Sequence, residues 1–162
     1  MAERLSVELL SEYQRGILRE RRDFDLMAVD DFGRYRVNVG YFDGDLGTVI
    51  RILSQRPKTL AELQLPDVVR RMTLATKGLV LITGSASQGK TTTLTGMIDE
   101  INRRESRHII TIEDPIEYFH KHKKSVITQR EIGVDVPSFS EALRRGLRQD
   151  PDVILVGEMR DL

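Results

Sequence analysis

Residues 78–93 read GLVLITGSASQGKTTT. The first part, Leu79 to Thr83, is almost wholly apolar, the pattern of a strand buried on both faces inside a parallel sheet. The character then changes at once, to Gly84, four small or polar residues, Gly89, Lys90 and three threonines. Beyond the turn, Leu94, Met97, Ile98 and Ile101 fall at i, i+3, i+4 and i+7, one apolar stripe on a helix. Strand, glycine turn, helix is the order this stretch predicts.

The same rhythm continues on both sides. HIITIE (108–113) and VILVG (153–157) are further apolar runs of strand length, and VITQREI (126–132) is a shorter candidate. Ser138 and Glu141 stand three apart as a capping box, so a helix is expected to open at Ser138 and run through ALRRGLRQ. Upstream, DVVRRMTLATKG (67–78) suits a short helix stopped by Gly78. Alternation of this kind predicts an α/β layer with a mainly parallel sheet.

Toward the N-terminus the period becomes two. RYRVNVGYF (34–42) places Tyr35, Val37, Val39 and Tyr41 on one face and Arg34, Arg36, Asn38 and Gly40 on the other. DGDLG (43–47) is turn chemistry and TVIRIL (48–53) resumes an extended run, so residues 24–53 read as a small antiparallel meander. Apolar residues between positions 5 and 20 keep near-helical spacing. The stretch SQRPKTLAELQLP reads as a linker, which divides the chain into an N-terminal domain (1–53), a linker (54–66) and an α/β domain (67–162).

Composition narrows the function classes. Lys+Arg and Asp+Glu are 25 each, so no net field draws in nucleic acid or an anionic membrane. The absence of cysteine excludes disulfides, thiolate zinc sites and cysteine nucleophiles. No apolar run approaches the ~20 residues that cross a bilayer. The charged start, MAERLSVELL, lacks a signal peptide's apolar block. A soluble intracellular protein without nucleic-acid partners or membrane insertion is expected.

Gly84-x-x-x-x-Gly89-Lys90-Thr91 has phosphate-loop spacing, in the strand-to-helix context that this motif requires. Glycines let successive N–H groups aim into one concavity, and the helix N-terminus adds partial positive charge. Gly84, Ser85, Ala86, Ser87, Gln88, Gly89, Lys90, Thr91 and Thr92 are the candidate nucleotide-binding residues, with Lys90 on the β- and γ-phosphates of ATP and the Thr91 hydroxyl on Mg²⁺.

Glu113 and Asp114 follow one buried run and Glu158 another. Ligands collect at the carboxyl ends of parallel strands, so these acids are expected near the loop, one to orient a water and another to hold the shell of the metal. Pro115 makes Asp114 equally readable as a helix cap. Arg36 and Arg51 are candidates to reach a γ-phosphate. Arg144, Arg145 and Arg148 read as an interface or solvated helix face. The histidines show no metal spacing, and HKHKK (120–124) reads as a wet loop.

Taken together, GLVLITGSASQGKTTT, HIITIEDPIEY, KKSVITQREIG, SFSEALRRGLRQDPDVILVGEMRDL and GRYRVNVG resemble the PilT family of twitching-motility ATPases, within the type II and type IV secretion ATPases. QREIG and GEMRDL favour the pilus-retraction branch. The resemblance implies a RecA-like P-loop core behind a small PAS-like N-terminal domain. It also implies a hexameric cytoplasmic motor at the inner membrane, docked on a pilus platform protein and hydrolysing ATP to return pilin to the membrane. It assigns the catalytic glutamate to Glu113, the Walker B glutamate to Glu158 and the nucleotide-sensing arginines to Arg36 and Arg51.

Departures from the family pattern are visible. Ser85, Ser87 and Gln88 stand where relatives usually carry a proline and a further glycine, and Gly44 and Asp45 occupy the hairpin turn where an arginine is usual. No counterpart of the family's opening strands, histidine box or C-terminal arm is found, so a fragment or an incomplete gene product is expected. The alternatives are a pilus-assembly or type II secretion ATPase, or a nucleotide-binding protein without turnover.

Overall fold

The computed structural model describes residues 10–53 and 56–159, and the chain divides into two compact units, residues 1–55 and 56–162. In the first unit, helix α1 (Glu12–Arg21) opens on a reciprocal cap: the Gln14 amide donates to the Ser11 hydroxyl, and the Ser11 amide donates to the Gln14 side chain. The portion of the predicted helical spacing before Leu10 lies outside the described residues. Strands β1 (Asp23–Val29), β2 (Arg34–Phe42) and β3 (Asp45–Leu53) follow as an antiparallel meander. Asp43 and Gly44, at φ 52° and 95°, supply the left-handed pair that a two-residue hairpin needs to match strand twist. The alternation in β2 is realised: Val37 and Val39 are buried with Leu10, Leu18 and Leu46, and Tyr35 and Tyr41 pack against them.

The second unit is the α/β layer. Helices α2 (Asp67–Met72) and α3 (Lys90–Arg104) precede β4 (His108–Glu113) and β5 (Val126–Glu131), and α4 (Phe139–Gly146), a short 3₁₀ turn (Leu147–Gln149) and β6 (Val153–Val156) complete it. The three strands are parallel in the order β5-β4-β6. Central strand β4 is dry on both faces. Ile109 meets Ile98 of α3 along with Ile127 and Leu155, whereas Ile110 and Ile112 meet Val136 and Ala142. The predicted stripe on α3 therefore faces the sheet, with Met97 and Ile98 buried and Leu94 and Ile101 partly so.

Four local expectations are corrected. Leu79 to Thr83 forms no strand among the described residues, and Leu79 is 80% and Leu81 60% exposed. An apolar run carries strand propensity, but a strand exists only when another backbone meets its N–H and C=O groups, and none does so here. Helix α2 ends at Met72, not Gly78, because the amides of Thr73, Leu74 and Ala75 bond three residues back and the Thr73 hydroxyl also donates to the Arg70 carbonyl. Asp114 caps no helix, and residues 114–122 run as an irregular loop after a cis Asp114–Pro115 bond. Ser138 caps α4 through the Glu141 amide, but Glu141 spends its carboxylate on Arg145 at 2.7 Å, so only half of the box has that form.

HKHKK is a loop exposed from Lys121 to Lys124, as expected, and it is also anchored. Asn102, 0% exposed on α3, accepts from the Lys123 amide at 3.0 Å and donates to the Lys121 carbonyl at 2.8 Å. Its own carbonyl takes the Lys124 amide, His122 Nδ1 accepts from the Ile127 amide, and Lys123 pairs with buried Asp99. His120 is largely buried and its Nδ1 has no partner, so burial drives its pKa down to about 4, with Asp99 opposing the shift and Lys123 adding to it. The sign follows directly. Above the unfolded value near 6.5 both states are neutral, but between that value and about 4 only the unfolded chain takes the proton, so stability falls as pH falls through this window. A His120→Phe variant should lose less stability than the parent between pH 7 and pH 4, by about 2 kcal/mol. Urea denaturation at the two pH values measures it, and parallel losses would refute it.

Candidate functional site: a phosphate loop and two strand-end carboxylates

Residues 84–89 turn the chain from the apolar run into α3. Gly84 has φ 151° and Gly89, the N-cap, has φ 86°, both conformations that favour glycine. A side-chain carbon at Gly89 would meet nothing within 4 Å, so its requirement is backbone angle and not space. Ser87 also sits left-handed, at φ 61°, where a side chain costs on the order of 1 kcal/mol.

Among the described residues, the amides of Ser85 to Gly89 have no backbone partner, and the first intrahelical bond after them is Thr93 N–H to Gly89 C=O at 2.9 Å. Lys90 bends back over this loop, donating to the carbonyls of Gly84 at 2.7 Å and Ser85 at 2.6 Å. No carboxylate pairs with Lys90 among the described residues. Ala86, Gln88 and Ser85 are exposed, and Thr91 and Thr92 stand half-buried in the first turn of α3. Unpaired amides, a helix N-terminus and an ammonium without a counter-charge make this turn electropositive.

Chain geometry brings that turn to the carboxyl end of the sheet. Only residues 105–107 join α3 to β4, and Ser125 pins the bend, accepting from the Arg107 amide and donating to the Glu105 carbonyl. Fifteen residues of α3 rise about 22 Å and six of β4 about 20 Å, so an antiparallel helix packed on β4 ends about level with Glu113.

Glu113 closes β4 at 8% exposure. Its Oε1 accepts from Thr111 Oγ1 at 2.6 Å and from Gln129 Nε2 at 3.2 Å, and the Glu117 amide adds a third bond. Burial nevertheless outweighs these donors and lifts its pKa above the ordinary carboxylate value. Glu158 follows the end of β6, half-buried, on the strand next to β4. Gly157 lies against Glu113, where a side-chain carbon would come within 3.2 Å of the Ile112 carbonyl and 3.4 Å of Glu113 Cα, so the close approach of the two strand ends depends on glycine. The register thus carries Glu113 opposite Gly157, with Glu158 one residue further along and Asp114 exposed on the loop after β4.

Arg36 and Arg51 belong to the first unit, where they are direct register partners on β2 and β3. Arg36 pairs with Asp25 at 3.5 Å and Arg51 is exposed. Like charges placed opposite each other on a sheet weaken it, so the pair has no stabilising rationale within its own strands. Arg144 and Arg145 lie exposed on α4 and share Glu141. Thr111, Gln129 and Asn102 were not singled out in the sequence. The signal for the first two was present as polar residues spaced by two in apolar strands, Thr111 with Glu113 and Gln129 with Glu131, marking one polar face.

A glycine-rich turn of phosphate-loop spacing opening a helix, with a parallel sheet that carries acids at its strand ends, is the pattern of a P-loop α/β protein. The family model for type II/IV secretion system proteins matches residues 44–162, and the chain belongs to that family. It is 44% identical over 151 residues to the type IV pilus retractation ATPase PilT of Pseudomonas aeruginosa, covering 89% of this chain and 44% of that one. It is 41% identical over 165 residues to the type IV pilus ATPase PilU of the same organism, covering 96% and 43%. The crystal structure of the pilus retraction motor PilT with bound ADP superposes with a TM-score of 0.93 at 48% identity, covering 98% of this chain and 47% of that one. The chain spans under half the length of these relatives, and its fold is theirs over that span.

Proposed function

We propose that this chain is the nucleotide-binding part of a type IV pilus retraction ATPase, and that its 84–92 turn holds the triphosphate of ATP. The observation that carries the reading is Lys90, which among the described residues has no carboxylate partner and lies over a loop whose amides have no backbone partner. A terminal phosphate would replace the two carbonyls that Lys90 now contacts. Loop amides of Ser85, Ala86, Ser87, Gln88 and Gly89 and the first turn of α3, with Thr92, would take the remaining phosphate oxygens. The ADP named for the similar PilT structure supports the ligand class.

Thr91 and Glu158 would hold Mg²⁺, and no cluster of three or more acids or histidines competes for it among the described residues. Two protein ligands suit a cation that keeps its own waters and substrate oxygens. When bound, the metal neutralises phosphate charge. Glu113, whose burial raises its pKa above the ordinary carboxylate value, orients the attacking water and accepts its proton. Arg36 and Arg51 supply positive charge to the γ-phosphate. Residues 1–53 form the sensing domain, 54–66 the linker and 67–162 the ATPase domain.

In this reading the intact protein is a hexamer, cytoplasmic and peripheral to the inner membrane, acting on the platform protein and pilin. No helix of the described residues is long and apolar enough to cross a bilayer. Saturable binding of a fluorescent ATP analogue to the purified chain in the micromolar range, displaced by unlabelled ATP, is the expected result. Absence of binding at millimolar nucleotide refutes the reading.

A further inference from the structure

Gln129 bridges three parts of the second unit with one side chain. Its Nε2 donates to Glu113 Oε1 at 3.2 Å and to the Tyr118 carbonyl at 2.9 Å, and its Oε1 accepts from the His120 amide at 2.7 Å. All three of its polar functions are therefore directed, one to the strand-end carboxylate and two to the loop after it. Thr111, two residues before Glu113 on the same face of β4 and the register partner of Gln129, donates to the same Oε1.

We propose that Gln129 is a positioning residue, holding the Glu113 carboxylate in a fixed orientation and tying it to the 114–122 loop. This rests on the reading of Glu113 as the group that orients the attacking water. The argument is geometric. Glu113 is the terminal residue of its strand, and an unrestrained glutamate there samples several rotamers. Two donors on one oxygen, from adjacent strands, select a single arrangement. Such fixing matters because a water held about 1 Å from its productive place reacts on the order of a hundredfold more slowly. The ionisable neighbours are Glu117 on the following loop and Glu131, the register partner of Glu113 on β5, while β6 presents only Gly157 at this level.

The test is a ¹³C-detected titration of glutamate carboxyls in the full 162-residue chain, with Glu113→Gln identifying the Glu113 signal. In the parent, the Gln129 side-chain amide protons should shift with the Glu113 midpoint. In Gln129→Met and Thr111→Val the midpoint should move to higher pH, since each removes a donor that favours the ionised form. Thr111→Val keeps the β-branched shape, and the parent's Gln129 signals need no variant, so a poorly folded Gln129→Met does not decide the matter. Gln129 amide protons indifferent to the titration, with unmoved midpoints in the variants, overturn the proposal. In turnover, Gln129→Met should lower kcat roughly tenfold with nucleotide affinity within about twofold of the parent. A Glu113→Gln variant that hydrolyses ATP at the parent rate would instead overturn the catalytic reading, and the titration, which needs no turnover, separates the two failures.

Discussion

Lys90→Ala is expected to weaken ATP binding by at least about a hundredfold, which is about 2.7 kcal/mol. The reasoning rests on charge. Lys90 lies over the 84–89 turn, and among the described residues its acceptors are the Gly84 and Ser85 carbonyls. A phosphate would exchange two neutral acceptors for charged ones, and a charge-assisted bond is roughly twice as strong as a neutral one. Alanine leaves the loop amides in place, so weak binding of the polyphosphate should persist at millimolar concentration. The fold should not suffer, because Lys90 is the first residue of α3, half-buried, and contributes nothing to the apolar stripe. Isothermal titration with ATP and ADP, beside a thermal melt of both proteins, measures the two effects separately. Unchanged affinity would remove the loop from nucleotide recognition.

Glu158→Gln should leave nucleotide affinity within about threefold and cut phosphate release by a hundredfold or more. The amide fits the same space after β6 but carries no negative charge with which to hold Mg²⁺ in place. Ground-state binding depends on the loop and Lys90, whereas turnover depends on charge compensation as the phosphoryl group transfers. The expected signature is a fall in kcat with little change in KM, read from steady-state phosphate release. Equal turnover in the two proteins would take Glu158 out of the mechanism. Glu113, buried at the end of β4, should behave differently: its loss removes the base and not the metal's partner, so added Mg²⁺ would not rescue it.

Much of this was legible in one dimension. Local codes survive translation because they depend on neighbours within four residues: the Gly84-to-Lys90 spacing, the Leu94-to-Ile101 stripe, the alternation of β2 and the Ser138 cap. The loop's glycines, its helix and the acids at the ends of two apolar runs followed from the same codes. Each of these was present where the residues put it.

Tertiary structure decided what depends on distant partners. Whether Leu79 to Thr83 pairs as a strand is set by which backbone lies beside it, and composition holds no record of that. HKHKK was polar by count yet anchored in fact, because Asn102, twenty residues earlier in the chain, faces it with both halves of its amide. The tethering of Glu113 by Gln129 likewise required β4 and β5 to lie in register. Chemistry of a single turn is written in the order of residues, whereas the orientation of a buried carboxylate is set only when strands remote in sequence have closed the sheet around it.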